Sequence, residues 1–323
     1  MTQSIHTLIS MLGHMRPAYS LAEKKFCELY LEPEFGKPDV HGNYIKIIGK
    51  FPRIAFTAHT DTVHRIQGIQ KLAIENSVVT SVTGSCLGAD CTTGLWLMLG
   101  MIERGVEGVY IAHAAEEIGG LGSSSLVRDN PTWMDDLDFC ISFDRFGTNS
   151  VITHQGGQRT ASDAFVDSFI RATDLQAYRS DQYGTYTDSM EYSDLVSEGT
   201  NISVGYDHQH TSKENQDLTF AAMLLEKLCE ADWTLLEAHR DPRVVELDDY
   251  AQYAAVEASE GDAIEALQRL ITDRPVTIAG LLFEYGFTVE GLCEELNLDM
   301  QDYSYYTDNY YGNKFFDQQE IPY

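Results

Sequence analysis

Residues 53–63, RIAFTAHTDTV, join an apolar, strand-like run to a histidine and an aspartate two positions apart, His59 and Asp61. Apolar runs that are typical of strands lie at 44–49, 53–59, 78–82, 109–115, 138–144 and 200–206. Helical patterns lie between or after these runs, at 20–30, 91–104, 122–128, 161–172, 188–197 and 215–238. This alternation predicts an α/β domain in which helices flank a buried sheet.

The composition is that of a globular protein with a full core. The chain has 323 residues, of which 43% are hydrophobic, and its longest apolar runs are far shorter than the roughly 20 residues of a membrane helix. Residues 1–17 space their apolar residues like an amphipathic helix and lack the pattern of a signal peptide, and the six cysteines include no CxxC pair. We therefore expect a cytoplasmic protein with reduced thiols and no membrane span.

The chain is strongly acidic. Fifty Asp and Glu side chains against 22 Lys and Arg give a formal charge of −28, which repels nucleic acid and an anionic membrane surface. We therefore expect no nucleic-acid partner and no membrane partner. Solubility and a saline environment explain the acidity equally well, and the sequence does not choose between them.

The character of the sequence changes near residue 241. Residues 241–323 carry 18 acidic against 4 basic side chains and 9 of the 18 tyrosines. We expect a catalytic domain over 1–240 and a small, acidic, tyrosine-rich α-helical C-terminal extension over 241–323, with helices at 250–258, 262–272 and 277–298. Tyrosine-rich surfaces are common at interfaces, so the extension is a candidate for homo-oligomer formation.

Acidic residues and histidines recur where predicted strands end or helices begin. After His59 and Asp61 come Asp90, the pair Glu116 and Glu117, Asp144, and the histidines His208 and His210. Each has an ordinary alternative: Asp90 as a helix N-cap, the glutamates as a solvated face, Asp144 as a turn residue. Strand ends of an α/β sheet converge on a crevice, however, and so many carboxylates gathered there would repel one another unless cations neutralised them. The mixture of imidazole and carboxylate predicts a metal site and favours zinc.

The order of these residues resembles that of the zinc-dependent exopeptidase superfamily, which includes two-zinc aminopeptidases, carboxypeptidases, dipeptidases and aminoacylases. The resemblance covers residues 1–235. It is carried by GN (42–43) before strand 53–59, by the residues named above, and by HTSKEN (210–215). It implies a three-layer α/β/α sandwich around a central mixed β-sheet.

The resemblance also implies a site for two divalent ions, zinc first, with cobalt or manganese as alternatives. In that arrangement Asp90 bridges the ions, His59 and Asp144 complete one position, and Glu117 and His210 complete the other. Asp61 would then accept a hydrogen bond from His59, and Glu116 would be the general base. A cis peptide that follows the bridging aspartate in the family would fall between Asp90 and Cys91.

Only 66 positions separate Asp144 from His210, too few for the lid domain that many relatives insert there, so the architecture resembles single-domain aminopeptidases. In this interval Asp188 is a candidate for binding a substrate amino group or for capping a helix, and His208 is a candidate cleft residue. We expect an aminopeptidase-like exopeptidase that acts on a small peptide or amino-acid amide. An N-acyl amino acid deacylase and a metal-free binding domain are the alternatives.

Two groups of residues near this constellation have no assigned role. His154, Arg145 and Arg159 could line the cleft. The thiols of Cys86 and Cys91 are expected to be buried and inert, with zinc ligation or a redox pair as the alternative.

Overall fold

The fold is built on a seven-stranded mixed sheet. The computed structural model describes residues 4–129 and 136–244. In chain order the strands of the main sheet are β1 (Tyr44–Ile48), β2 (Ile54–His59), β3 (Gly108–His113), β4 (Phe139–Arg145), β5 (Ser150–Ile152), β6 (Arg179–Asp181) and β7 (Glu198–Ser203). Their spatial order is β6-β5-β7-β4-β2-β3-β1. Strand β2 is parallel to β3 and β4, β4 to β7, and β5 to β6, whereas β1 is antiparallel to β3 and β5 to β7.

Helices cover both faces of this sheet. Those of the described residues are α1 (Ile5–Leu12), α2 (Leu21–Phe26), α3 (Glu32–Phe35), α4 (Ala89–Glu103), α5 (Leu121–Asp129), α6 (Asp163–Thr173) and α7 (Leu218–Glu230). A π-helical turn, Cys27–Leu31, joins α2 to α3, and 3-10 turns occur at Asp188–Tyr192 and Trp233–Leu235. None of the described helices is both long and apolar enough for a membrane span.

Alternate residues of the central strands pack into two separate cores. Phe56 of β2 and Tyr110 of β3 pack with α4 on one face. Their neighbours Ala55 and Ile111 pack on the other face, together with Leu126 of α5. A sheet with both faces buried in this way is the middle layer of an α/β/α sandwich. The predicted fold class is confirmed.

A smaller, four-stranded sheet carries the segment around His210. Its strands are Leu72–Glu75, Val78–Ser81, Tyr206–Asp207 and Asn215–Asp217. The last two form a hairpin whose loop contains His208 and His210. Two further antiparallel pairs consist of two-residue strands: His14–Met15 pairs with Gly68–Ile69, and His154–Gln155 pairs with Gln158–Arg159. The small sheet therefore fixes the loop from which His210 projects.

Helix α4 is buried on nearly all sides, as expected of a helix that is hydrophobic all round. It packs on β2 and β4, and the indole of Trp96 donates to the Ser4 carbonyl at 3.1 Å, where α1 covers the helix. Gly94 allows this close packing, because a β-carbon there would overlap the carbonyl oxygen of Phe143 in β4. The tight contact brings the start of α4 to the ends of the strands.

Two predicted helices are partly wrong. Residues 188–197 form only the 3-10 turn Asp188–Tyr192, and 215–238 divides into a strand, α7 and a second 3-10 turn. Helix α7 begins late because Asp217 is its N-cap and accepts hydrogen bonds from the backbone N–H groups of Thr219 and Phe220. Strands β5 and β6 have three residues each, too few to produce a recognisable alternation in the sequence.

The predicted domain boundary at 240/241 lies close to the end of the described residues. Arg240 is buried, and its guanidinium donates to the carbonyls of Ser197 and Val196, each at 2.9 Å. The predicted helices at 250–258, 262–272 and 277–298 lie outside the described residues. The division into a catalytic domain and a C-terminal extension therefore stays a prediction.

Replacing Gly94 by alanine should destabilise the protein more than the same change at Gly100 of the same helix. Both changes gain about 1 kcal/mol of helix propensity. At Gly100, however, the new β-carbon meets Cδ1 of Leu225 at 2.7 Å, the movable end of a side chain, whereas at Gly94 it meets backbone. Denaturant unfolding should show Gly94→Ala less stable than Gly100→Ala by about 2 kcal/mol or more. Equal stabilities would contradict the proposed backbone contact.

Candidate metal centre

The carboxyl ends of three adjacent parallel strands lie at one edge of the sheet, as ligand sites of α/β folds usually do. The structure brings all five predicted metal ligands to this edge. They come from five segments: His59 from the end of β2, Glu117 from the turn after β3, Asp144 from β4, Asp90 from the start of α4, and His210 from the hairpin loop.

A first cluster of ligand atoms surrounds His59. Its Nε2 lies 3.0 Å from Oδ1 of Asp90 and 3.6 Å from Oδ1 of Asp144. These three atoms are buried, and none makes a hydrogen bond of normal geometry within the described residues. Buried polar atoms without partners are costly unless something binds them. A single divalent cation fits this arrangement.

A second cluster shares Asp90 with the first. Nε2 of His210 lies 2.7 Å from Oδ2 of Asp90 and 3.4 Å from Oε1 of Glu117. One ligand atom from each of these three residues lies within 4.8 Å of the other two. Asp90 thus offers one oxygen to each cluster, and the His210 side chain is 40% exposed, so the second cluster opens to solvent.

Asp61 holds the surrounding groups in place. It is fully buried; Nδ1 of His59 is hydrogen-bonded to its backbone carbonyl at 3.1 Å and lies 3.3 Å from its Oδ1. Its two carboxylate oxygens also accept the backbone N–H groups of Glu116 and Glu117, each at 3.1 Å. Glu116 belongs to neither cluster, yet its Oε2 lies 3.8 Å from Nε2 of His59. Asp61 therefore orients a candidate ligand and the turn that carries the candidate base.

Several contacts that support the ligands come from residues to which the sequence assigned no role. Thr187 donates from Oγ1 to Oδ2 of Asp144 at 2.9 Å, and the Tyr206 hydroxyl donates to the Asp144 carbonyl at 3.0 Å. Gln209 donates from Nε2 to Oδ2 of Asp90 at 2.9 Å. Gln209 stands between the two candidate histidines, a position that could have drawn attention to it. Thr187 and Tyr206 act across 43 and 62 positions, and no local pattern predicts such contacts.

The start of α4 depends on a buried glutamate. Oε1 of Glu214 accepts the backbone N–H of Ala89 at 2.6 Å, beside Gly88. Gly88 adopts a left-handed conformation with φ of 70°. Glu214 therefore satisfies a helix N-terminus that has no side-chain N-cap of its own. It is the glutamate of the HTSKEN segment, and this contact fixes the backbone next to Asp90.

Burial and mutual charge shift the pKa values of the cluster in opposite directions. Burial, with repulsion from neighbouring carboxylates, raises the pKa of Glu116 well above its usual value and also raises that of Glu117. Although burial opposes it, the hydrogen bond from His210 and the charge of the adjacent His59 hold the pKa of Asp90 well below its usual value. The carboxylates in turn raise the pKa of His210 to about 11 against the effect of burial. Positive charge is thus strongly favoured within the two ligand clusters.

The N-terminal segment packs against the turn that follows β2 and against the first turn of α4. Arg16 is fully buried over the ring of Phe26, donates from Nε to the Thr60 carbonyl at 2.7 Å, and donates from Nη2 to Oγ1 of Thr92 at 2.7 Å. The Thr60 hydroxyl donates to Oε1 of Glu23 at 2.6 Å. The N-terminal part of the chain thus directly supports the turn between His59 and Asp61.

The two substrate candidates lie in different surroundings. His208 is exposed, and its ligand atoms belong to neither cluster. Asp188 is buried, burial raises its pKa to about 8, and neither carboxyl oxygen has a partner of normal geometry within the described residues. The nearby Ser123 hydroxyl donates to the Gly120 carbonyl instead. Asp188 is not the N-cap of its turn, because Thr187 occupies that position. Substrate contact by Asp188 or His208 stays a prediction.

The three other spare groups lie away from the clusters. His154 and Arg159 line a separate polar cavity of about 500 Å³ near β5 and β6, together with Tyr183. Arg145 donates from Nη2 to Oδ2 of Asp181 at 3.3 Å and to the Tyr183 carbonyl at 3.0 Å. The cavity is therefore a feature of the sheet edge, and none of the five candidate ligands lines it.

The expected cis peptide after Asp90 is wrong. The peptide bonds of the described residues, including Asp90–Cys91, are trans. The chain turns here through backbone torsions instead, with Asp90 at φ −46° and ψ 124° and Cys91 at φ 53° and ψ −24°. Neither residue is helical, and this departure lets the first turn of α4 face the strand ends.

Comparison with known proteins establishes the fold. No family model and no curated protein matches this sequence. Among solved structures, aminopeptidase PepT from Bacillus cereus is 15% identical with a TM-score of 0.57, over 70% of this chain and 96% of that one. A tripeptidase from Staphylococcus aureus is 12% identical with a TM-score of 0.58, over 72% and 97%. The TET1 peptidase of Pyrococcus horikoshii, which can assemble into a tetrahedron or a large octahedral shell, is 14% identical with a TM-score of 0.55, over 70% and 98%. The chain thus has the fold of these peptidases, as the sequence resemblance implied.

Replacing Asp61 by asparagine should weaken metal binding without unfolding the protein. An asparagine side chain cannot accept both N–H groups of Glu116 and Glu117, and it removes the charge that faces His59. We expect a 10- to 100-fold loss of zinc affinity, measured by competition with a chelator. Asp138→Asn is the control, because Asp138 pairs with Arg53 at the surface. Equal affinities for the two variants would contradict this role of Asp61.

Glu23 should make the stability of the metal-free protein fall with rising pH. Burial raises its pKa to about 7, so between roughly pH 4.5 and 7 the folded chain binds a proton that the unfolded chain has lost. Unfolding then releases a proton, and wild-type stability falls across this window. Glu23→Gln cannot titrate at this position, so its stability should not fall in this window. Relative to that of the wild type, its free energy of unfolding should rise by at most roughly 3 kcal/mol between pH 4.5 and 8. Parallel stability curves for the two proteins would exclude the effect.

Proposed function

We propose that this protein is a two-metal exopeptidase of the aminopeptidase type, which removes an N-terminal residue from short peptides. The observation that carries the proposal is that Asp90 offers one carboxylate oxygen to each of two ligand clusters, while Glu116 lies beside them without belonging to either. The donor sets, one imidazole with carboxylates in each cluster, suit zinc, with cobalt or manganese as alternatives. Two divalent ions held there would polarise the scissile carbonyl and acidify a water molecule.

Glu116 is the residue that moves the proton. It takes a proton from the attacking water at a carboxylate oxygen and then delivers it to the nitrogen of the departing amine. Asp61 fixes the position of Glu116 through the backbone N–H bond described above. The same residues would serve any amide substrate, so they define the reaction and leave the substrate to the surroundings.

The charge around the centre favours a substrate with a free amino group. Two divalent ions would favour the charged form of the carboxylates around them, so that Glu116, Glu117 and Asp188 would add negative charge next to the ligands. The basic side chains Arg145 and Arg16 already have partners, Arg145 in Asp181 and Arg16 in the Thr60 carbonyl and the Thr92 hydroxyl. A substrate α-ammonium is attracted to such a site, and the free carboxylate of an N-acyl amino acid is repelled. This observation favours an aminopeptidase over the deacylase that the sequence left as an alternative. In a binding domain without metals, nothing would compensate the cost of the buried, unpartnered atoms of the first cluster.

Three further aspects of the proposal follow from the sequence. We propose a cytoplasmic protein, in agreement with its cysteine usage. We propose that residues 241–323 form an extension through which copies of the chain can assemble. With 50 acidic side chains against 22 basic ones, we propose neither nucleic acid nor a membrane as a partner.

Elemental analysis combined with a substrate panel tests the proposal. We expect about two metal ions per chain, cleavage of aminoacyl amides and di- or tripeptides, and much weaker cleavage of the matching N-acyl amino acids. A chelator should abolish turnover, and zinc should restore it. Cleavage of the N-acylated substrates alone would favour the deacylase, and a chain that binds no metal and turns over nothing would be a binding domain.

Two substitutions separate the base from the ligands. Glu116→Gln should retain both ions and lose at least 10²-fold in kcat, because it removes the proton acceptor and no ligand. Asp90→Asn should lose metal as well as activity, because it weakens both clusters at once. Glu226→Gln is the matched control, since Glu226 pairs with Arg104 at the surface. Wild-type turnover in Glu116→Gln would show that another group is the base.

A further inference from the structure

The first ligand cluster contains a fourth group, the thiol of Cys91. One ligand atom from each of His59, Asp90, Cys91 and Asp144 lies within 4.8 Å of the other three, and all four residues are buried. The sequence favoured an inert thiol at this position. The structure instead puts the sulfur in one group with His59, Asp90 and Asp144, each of which has a buried atom that lacks a hydrogen-bond partner within the described residues.

The contacts of Cys91 leave the sulfur free to bind a cation. Its Sγ accepts the backbone N–H of His59 at 2.8 Å. A sulfur atom has more than one lone pair, so this hydrogen bond leaves a lone pair available to bind a metal ion. An N–H group directed at a sulfur also stabilises negative charge there, which a metal ligand needs. The strand that carries His59 therefore holds both the imidazole and the sulfur at the first cluster.

The backbone at Cys91 favours glycine, yet a side chain is present. Its φ of 53° lies in the left-handed region, which is unfavourable for a residue with a β-carbon. Such conformations persist where the surroundings over-determine them and are concentrated at functional sites. Asp90, the residue before it, is also non-helical. This local departure from the helix directs two successive residues toward the same cluster.

The four groups match the coordination that zinc prefers. Zinc takes four ligands in a tetrahedron, and with bonds of about 2.0–2.3 Å the ligand atoms lie roughly 3.3–3.6 Å apart. Nε2 of His59 lies 3.0 Å and 3.6 Å from the oxygens of Asp90 and Asp144. One nitrogen, two oxygens and one sulfur complete such a set. The second cluster has only three ligands, Asp90, Glu117 and His210, and includes no sulfur.

We infer that Cys91 is the fourth ligand of the first metal position, so that the two positions are chemically unequal. The first is closed and contains sulfur, and it selects zinc or cobalt over manganese, because soft thiolates disfavour harder ions. The second contains only nitrogen and oxygen ligands and keeps an open coordination position. This inference rests on the proposed two-metal function and adds a ligand and an order of loading to it.

Cobalt binding to the metal-free protein tests the inference. A thiolate bound to Co²⁺ gives an intense charge-transfer absorption in the near ultraviolet, which nitrogen and oxygen ligands do not give. We expect the first equivalent of Co²⁺ to produce this band and the second to add none. Cys91→Ser should lose the band and bind its first zinc at least roughly 100-fold more weakly, beyond the cost of losing a supporting contact.

Cys86→Ser is the matched control. Cys86 is also buried, but its ligand atom belongs to neither cluster, and its Sγ lies near the Ser85 hydroxyl at 3.9 Å. This variant should keep both the band and the affinity. Cys91→Asp should bind cobalt without the band, because it replaces the sulfur by oxygen.

The outcomes separate this inference from the proposed function. Two bound cobalt ions without a charge-transfer band in the wild-type protein would overturn the inference and leave the two-metal function standing. The same conclusion follows if the band persists in Cys91→Ser. No cobalt binding at all would overturn the two-metal function together with the inference. Absence of the band from the wild-type spectrum overturns the inference even if Cys91→Ser fails to fold.

Discussion

The parallel alignment of β2, β3 and β4 is the constraint on which the rest of the molecule depends. Because these strands run in the same direction, their carboxyl ends meet at one edge of the sheet. His59, Asp144 and the Glu116–Glu117 turn lie there, together with Asp90 from the start of α4. The resulting negative charge is buried, and water is excluded from most of it. Such a concentration is costly unless bound protons or cations compensate it. The sheet topology therefore imposes an electrostatic demand that the proposed metal ions would meet, and the acidic surroundings proposed to attract a substrate amine arise from the same topology.

The sequence predicts the parts of this arrangement that local patterns encode. Apolar runs that end in His59 or Asp144 reveal both the strands and their chemistry, and the polar residues after each run indicate the site. Contacts between distant segments have no such signal: the bonds of Thr187 and Tyr206 to Asp144 depend on how the chain returns to the sheet. The cis peptide expected after Asp90 came from the family resemblance, whereas the trans bond observed there is the intrinsic preference of a non-proline peptide. The short 3-10 turn at Asp188–Tyr192 escaped prediction because tertiary packing overrides the local helical preference.

The supports of the site come from both ends of the domain. Arg16 and Glu23 fix the turn after β2 from the N-terminal side, while Glu214 fixes the start of α4 from the hairpin near the C-terminal side. Each of these side chains is charged and almost fully buried. Such groups are expensive to bury, and each is retained with hydrogen bonds to backbone or hydroxyl partners. The cost of keeping charges in the interior is thus concentrated where rigidity matters for the ligands.

The hydrogen bonds that Asp61 accepts from the two glutamate N–H groups bear on how the protein would acquire the proposed ions. These bonds, like those of Glu214 and Thr187, join protein groups to one another and need no cation to form. The framework that bears the ligands is therefore set by the folded chain, in contrast to small zinc domains that fold only around their metal. Under the proposed function, ion selection would be a separate event after folding. The ligands of each position and the ions available at that moment, rather than the folding pathway, would then decide which ions the finished protein carries.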